Sequence, residues 1–318
     1  MIKYLQHEEI NKNKWDDCIN LSPHGLIYAL SWYLDAVHPG WKALVKNDYE
    51  TVFPLTSGKK FGINYLYQPF FNQKLGAFSR NPGEYIDIDL FLEVLRERFR
   101  YVDIKLNRAN RITGKEFKVE MNTNIELDLS ENLEAIRNNY SENALRNLKK
   151  FNDENIILNE EKDSGLLIRM FRSNMGRALP KIRDIHYSGL KKVMDTAIDK
   201  GTGRMLVAKN QKDKLLTGAF FITYRNRAVF LFSANTEDGR EKRAMYGIID
   251  RFIEENAGEK MILDFEGSNN ENLARFYKSF GGKNFDYPGL RINRLPFYPG
   301  LLPGPPGLQL PGSCPRWG

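Results

Sequence analysis

Apolar positions along this chain switch repeatedly between the three-to-four-residue spacing of a helix and the alternation of a strand. Trp15 to Leu21 reads as a short helix ending at Ser22-Pro23. His24 to Val37 reads as an amphipathic helix with Ile27, Leu30, Leu34 and Val37 on one side, closed by His38-Pro39-Gly40. Trp41 to Val45 and Tyr49 to Thr56 are strands about an Asn47-Asp48 turn, and Phe61 to Tyr67 follows the turn Ser57-Gly58-Lys59-Lys60. Asp89 to Phe99 has helical spacing, Tyr101 to Leu106 is a strand, and Glu116 to Leu129 holds two more.

The second half repeats this order. Glu131 to Phe151 is helical, Asn152 to Asn159 extended, and Gly165 to Gly176 and Pro180 to Asp199 are helices. Arg204 to Lys209, Leu215 to Tyr224 and Ala228 to Ala234 make an antiparallel meander turning at Lys212-Asp213 and Arg225-Asn226-Arg227. A helix over Met245 to Glu255 precedes the strand Met261 to Phe265. After a Gly/Ser/Asn turn, Leu273, Phe276, Tyr277 and Phe280 mark a helix that Gly281-Gly282 stops. Phe285 to Asn293 adds one or two last strands. The pattern predicts an α/β fold of α+β type with two mixed sheets in two domains, 1–125 and 126–295, whose strand ends face one cleft. The boundary falls between about Asn107 and Asn132.

Composition narrows the function classes. The 318 residues are 42% hydrophobic and 12% aromatic, a globular balance with room for two domains. The polar start is unlike a signal peptide, and no apolar run approaches the ~20 residues of a membrane helix. A cytoplasmic protein without a membrane span and without a DNA partner is expected. A net charge of +7 favours anionic ligands. Cys18 and Cys314 make no disulfide framework, the four His lie apart, and no His/Cys/Asp group has metal-ligand spacing.

The chemistry concentrates between Met261 and Gly282. Asn270, Ala274, Tyr277 and Gly281 resemble the N…A…Y…G pattern near the end of GNAT-type acyltransferase domains, with the Ala one place late. DFEGS followed by RFYKSFGG is similar to the FemAB-like aminoacyl transferases, and SENALRNLKKFNDENI resembles the helix that opens their second domain. The resemblance implies two tandem GNAT-like domains sharing a cleft, the first without obvious catalytic residues. It also implies transfer of an acyl or aminoacyl group to an amine of a small-molecule, peptide or cell-envelope precursor acceptor. Acyl-CoA or aminoacyl-tRNA is the possible donor, with charged tRNA a possible partner. Acetyl-CoA-dependent N-acetylation, and a non-catalytic ligand- or RNA-binding module on the same fold, are the alternatives.

Acyl transfer needs a base for the ammonium and an acid for the leaving group. Glu266, nearest the strand's end, is the expected base, with Asp264 its buried partner on the same face. Tyr277 is the expected acid and Lys278 an electrostatic alternative. Arg240, Lys242, Arg243, Gly247 and Asn270 are the expected cofactor-binding residues, although Ala244, Met245 and Tyr246 replace the phosphate-loop glycines of acyl-CoA enzymes. Gln68, Phe70 and Gln73 in the loop Tyr65 to Ser79, with Arg146 and Lys149 on the basic helix, are expected to meet substrate. Each also has a plain reading as packed loop, cap or solvated charge. No uninterrupted heptad pair long enough for a tRNA-binding helical arm occurs.

From Pro296 to Gly318 the composition changes, and half of the chain's 14 Pro fall there among glycines. The expectation is a disordered tail, or a foreign one acquired by read-through or fusion; a Pro-rich partner-binding segment is the alternative. Deleting Gly300 to Gly318 is expected to move the melting temperature by no more than about a degree or two, the effect of a surface change under ~0.5 kcal/mol. Loss of soluble expression on truncation would show instead that Leu301, Leu302 and Trp317 pack on the body.

Overall fold

The computed structural model describes residues 1–295 apart from 82, 84, 116 and 176–181, so the predicted Pro/Gly-rich tail and the starts and ends read at Glu116, Gly176 and Pro180 lie outside the described residues. Within the described residues the chain divides into two compact units, one of 1–122 and 286–295 and the other of 123–285.

The first unit opens with β1 (Ile2–Leu5), α1 (Lys12–Leu21), α2 (Ser31–Val37), β2 (Lys42–Lys46) and β3 (Thr51–Leu55). It continues with β4 (Ser57–Lys60), β5 (Ile63–Tyr67), β6 (Phe78–Ser79), β7 (Ile86–Asp87) and α3 (Asp89–Arg98). β8 (Tyr101–Lys105), β9 (Asn110–Arg111) and β10 (Lys118–Asp128) follow, the last running on into the second unit. β1, β2, β3 and β6 form one antiparallel group. β4 pairs antiparallel with β5, and β5 pairs parallel with β8 across the α3 crossover. Leu44, Phe53, Leu66, Phe91, Leu95 and Val102 lie in the core of this unit.

Two predicted elements differ here. The expected helix over His24 to Val37 is a 3₁₀ turn at Ile27–Ala29, an extended Leu30 and then α2. The break is stabilised from outside: Trp15 Nε1 donates to the Ala29 carbonyl at 2.7 Å, and the Asp16 carboxylate accepts from Ser31 N and Oγ at 2.7 Å each. The expected turn over Ser57 to Lys60 is instead β4, and the chain reverses at Phe61-Gly62, with φ of 50° and 78°. Gly58 faces Tyr65 across the hairpin, where a Cβ would come within 2.4 Å of the tyrosine ring. Its glycine therefore serves the cross-strand aromatic rather than a turn.

The second unit continues through α4 (Leu133–Asn138), α5 (Glu142–Asn152), β11 (Ile157–Glu161), α6 (Ser164–Met175) and α7 (Asp184–Asp199). The meander β12 (Gly203–Lys209), β13 (Leu215–Tyr224) and β14 (Arg227–Asn235) comes next. Then follow α8 (Glu237–Glu241), α9 (Ala244–Asn256), β15 (Ile262–Asp264), α10 (Glu271–Lys278) and β16 (Lys283–Asn293). The strand order is β11-β12-β13-β14-β15-β10, antiparallel except for β14 and β15, which run parallel across the α9 crossover. In the first unit, β16 pairs antiparallel with β8. The two units thus repeat one topology: an antiparallel hairpin, a helical crossover, a parallel neighbour and a further antiparallel strand.

The single helix expected over Glu131 to Phe151 is two. Asn132 and Ser141 each cap a new start through Ala135 N at 2.9 Å and Ala144 N at 3.2 Å. Glu116 to Leu129 and Phe285 to Asn293, read as holding more than one strand or one to two, hold the single long strands β10 and β16. One core of this unit lies between the sheet and α5, α9 and α10, with Phe221 stacked on Phe252 at 3.9 Å.

Gly247, in the first turn of α9, meets the ring of Phe151 on α5: a Cβ there would come within 2.2 Å of Phe151. Gly247→Ala is expected to cost about 1–3 kcal/mol in urea unfolding through overpacking. Adding Phe151→Leu should return part of that loss; an unperturbed Gly247→Ala variant would refute the close approach.

Candidate functional site

The site grows from the place where β14 and β15 part. Their parallel register runs from Arg227↔Ile262 to Val229↔Asp264, and the register pairs stop there while β14 continues to Asn235. One residue beyond, the pairing of β14 with β13 shifts: Phe221 faces Phe230 and Phe220 faces Phe232, which leaves Leu231 as a bulge. A bulge adds local twist and re-aims the strand. On the other side the chain after β15 leans to β10, with Phe265 N donating to Ile125 O at 3.0 Å. Two parallel strands held together at one end thus diverge at the other.

Buried charge closes the held end. Asp264 is fully buried, and Glu126 lies directly opposite it on β10. Two carboxylates facing each other across strands repel. Arg227, the first residue of β14, lies between them, 2.8 Å from Asp264 Oδ2 and 2.8 Å from Glu126 Oε1. Asn124 Nδ2 donates to Asp264 Oδ1 at 2.7 Å and to Glu126 Oε1 at 3.2 Å. Burial disfavours the charged guanidinium, but the pull of Asp264 and then Glu126 outweighs it and leaves the Arg227 pKa raised.

Glu266 stands just past this cluster. Its backbone N–H donates to Asp264 Oδ1 at 3.2 Å, and its φ of 52° is left-handed, a conformation that disfavours a side chain with a Cβ. Only 7% of the residue is exposed, Oε1 is buried without a hydrogen-bond partner, and burial pushes the carboxyl pKa well above its usual value. The expectation that Asp264 and Glu266 share one strand face needs correcting. β15 ends at Asp264, and the left-handed turn at Glu266 and Gly267 removes the alternation on which that expectation rests. Asp264 is placed as a buried partner, of Arg227 and of the Glu266 backbone.

The other predicted residues are distributed as follows. The ring of Tyr277 on α10 is buried, stacked on Phe265 at 4.6 Å and edge-on to Phe230 at 6.0 Å. Lys278 is exposed. Asn270 caps α10, its side chain accepting from Asn272 N at 3.0 Å and Leu273 N at 3.2 Å. Lys242 pairs with Glu154 at 2.9 Å. Arg243 is left-handed at the start of α9 with its Nε buried and unpartnered, and Arg240 is half-buried. The first turn of α9, Ala244 to Gly247, is wholly buried, which makes Gly247 a packing residue where a phosphate-binding one was expected. Arg146 donates to Asn143 Oδ1 at 2.8 Å on the exposed side of α5, and Lys149 is exposed as well.

In the first unit Gln68 is spent internally. Its Nε2 donates to Asn72 O and Oδ1 at 2.9 Å, and its Oε1 accepts from Lys105 N at 2.9 Å. Phe70 is buried and Gln73 half-buried in the same loop. That loop occupies the lane where β5 and β8 would part: Leu75 N donates to Lys105 O at 2.8 Å and Asn107 N to Leu75 O at 2.7 Å.

Sequence reasoning missed Arg227, Glu126 and Asn124. The alternation Asn124, Glu126, Asp128 places three polar residues on one strand face and was legible, but nothing in the sequence pairs it with a residue read as a turn. Among the described residues no group of three or more His, Cys, Asp or Glu is placed to hold a metal ion, and no helix is long and apolar enough to cross a membrane. A groove between α4 and α5, lined by Leu133, Glu134, Arg137, Asn138 and Leu145, contains none of the predicted residues.

No protein-family model matches the chain, and no curated protein matches it in sequence. Solved structures do share its fold. FemX is 11% identical with a TM-score of 0.56, over 90% of this chain and 96% of that one. A conserved protein of unknown function from Bacteroides thetaiotaomicron VPI-5482 is 9% identical with a TM-score of 0.58, over 91% of this chain and 99% of that one. The fold is GNAT-like and of FemAB type, as its resemblance in sequence implies.

Replacing Arg227 by Met would leave Asp264 and Glu126 buried without their cation. Loss of about 3–5 kcal/mol is expected in urea unfolding at neutral pH. The deficit should narrow on acidification, because a buried unpaired carboxyl has a raised pKa and keeps its proton in the folded state. A pH-independent deficit would show that the cluster is not carrying charge.

Proposed function

We propose that the protein is a transferase moving an acyl or aminoacyl group onto the amine of a small-molecule or peptide acceptor. One observation carries the reading: a buried carboxyl, Glu266, with an unpartnered oxygen and a raised pKa, at the point where two parallel strands part. An acceptor ammonium supplies the missing donor. The bound cation favours the carboxylate form of Glu266, which then takes the ammonium proton, and a raised pKa brings the carboxyl nearer that of an amine, which suits a general base. The neutral amine then attacks the donor carbonyl.

Backbone N–H groups along the parted edge of β14 are the proposed donors to the oxyanion. Tyr277 is the proposed acid for the leaving group, with Lys278 an electrostatic alternative. The buried first turn of α9 and the engagement of Lys242 by Glu154 favour a donor other than acetyl-CoA. Aminoacyl-tRNA is the donor to test beside it.

Purified protein offered acetyl-CoA or charged tRNA with amine acceptors is expected to transfer from one of them. Glu266→Gln and Tyr277→Phe should each lower the rate ~10²–10⁴-fold while the fold survives. Full turnover in both variants would sink the assignment of these residues, and absence of transfer from any donor would sink the enzyme reading itself.

The raised pKa also sets a stability signature. Below about pH 4.5 Glu266 is protonated in folded and unfolded chains alike. Above it the unfolded chain releases the proton and the folded one retains it, so stability falls as pH rises toward the folded pKa. Glu266→Gln is therefore expected to gain stability over the parent at neutral pH and to lose that advantage near pH 4, as followed by thermal unfolding.

A further inference from the structure

The β4–β5 hairpin of the first unit ends in a feature that packing does not explain. Lys60 and Ile63 close the register, and Phe61 and Gly62 form the loop, both with positive φ. Such a two-residue loop favours Asn-Gly or Asp-Gly, because a left-handed conformation crowds a Cβ. Phenylalanine occupies the first place at φ 50° and is 80% exposed. The ammonium of Lys60 lies 5.4 Å from the centre of its ring.

Basic residues collect at the same end of the sheet. Lys59 faces Asn64 in the hairpin register, Arg100 N donates to Asn64 O at 3.1 Å, and Arg294 N donates to Arg100 O at 2.8 Å. Lys59, Lys60 and Arg100 are exposed, and among the described residues none of the three pairs with a carboxylate. Arg294 donates instead to the carbonyls of Arg96 and Phe99 at the end of α3. Lysines on an edge strand also guard against unwanted pairing, which accounts for Lys59 and Lys60. It does not account for a large apolar ring held at the tip in a strained turn.

We infer that this hairpin tip docks the protein peripherally on an anionic lipid surface, with Phe61 entering the headgroup boundary and Lys59, Lys60 and Arg100 facing lipid phosphates. An aromatic tip flanked by lysines suits that boundary, where the ring is buried and the charged ends stay with the headgroups. Single-stranded RNA, the competing anionic partner, would stack a base on the ring, and Lys60 already stands against it.

The test is co-sedimentation of the full chain with vesicles of phosphatidylcholine alone and of equimolar phosphatidylcholine and phosphatidylglycerol. Binding is expected to the second only, and to weaken at high salt. Lys59→Ala with Lys60→Ala should weaken it about thirtyfold at low salt. Phe61→Asn fits the turn better, so its melting temperature should hold or rise while binding falls about tenfold or more. That opposition separates docking from loss of structure. The inference is overturned by equal binding to both vesicles, by sedimentation without vesicles, or by full binding in Phe61→Asn. It is also overturned if a single-stranded RNA oligonucleotide binds in a Phe61-dependent way and vesicles do not. Its failure would leave the transferase reading untouched, because the assay contains neither donor nor acceptor.

Discussion

A single guanidinium shared by two buried carboxylates ties together three strands of the second unit. Glu126 and Asp264 face each other across adjacent strands, and without Arg227 their repulsion would act in a poorly solvated place. With it, β10, β14 and β15 are tied together at one end. The strands are then free to part at the other, and Asp264 can turn its second oxygen to the backbone of Glu266. That hydrogen bond and the chain's lean toward Ile125 hold the left-handed turn at Glu266.

The first unit shows the same topology with a loop laid between the parted strands. Its parallel pair β5 and β8 also runs out, but the loop after β5 returns and lays Leu75 alongside the continuation of β8. Gln68 and Asn107 tie that loop in through their side-chain amides. Both amides are thus satisfied by the chain's own backbone. One repeated topology therefore has a form in which a returning loop bridges the parted strands and a form in which the register pairs stop at Val229 and Asp264.

Packing also decides what the start of α9 can do. A helix N-terminus attracts anions when its amides are accessible. Here the first turn is buried, Gly247 admits the Phe151 ring, and Tyr246 lies edge-on to Phe276 at 4.8 Å. The same residues that a phosphate-binding reading requires to be open are the ones that join α5, α9 and α10 into one core.

Periodicity alone determined most of the elements, the mixed α/β class and the repeat, because strands and helices bury one face each and that face is written at fixed spacing. The turn, cap and glycine stop around α10 were equally legible, since Asn270 and Gly281 act on their own neighbours in sequence. Errors arose where a distant group overrode local preference. Asp16 and Trp15 break the helix predicted through Leu30, and Tyr65 claims the glycine of an apparent turn. The site divides in the same way. Glu266 was visible as an acidic residue at a strand's end, but its missing partner depends on burial from several elements. Arg227 looked like a turn residue, because only the tertiary structure brings residues 227, 264 and 126 together. Pairing of charges across strands has no fixed sequence spacing, so it was decided by the fold.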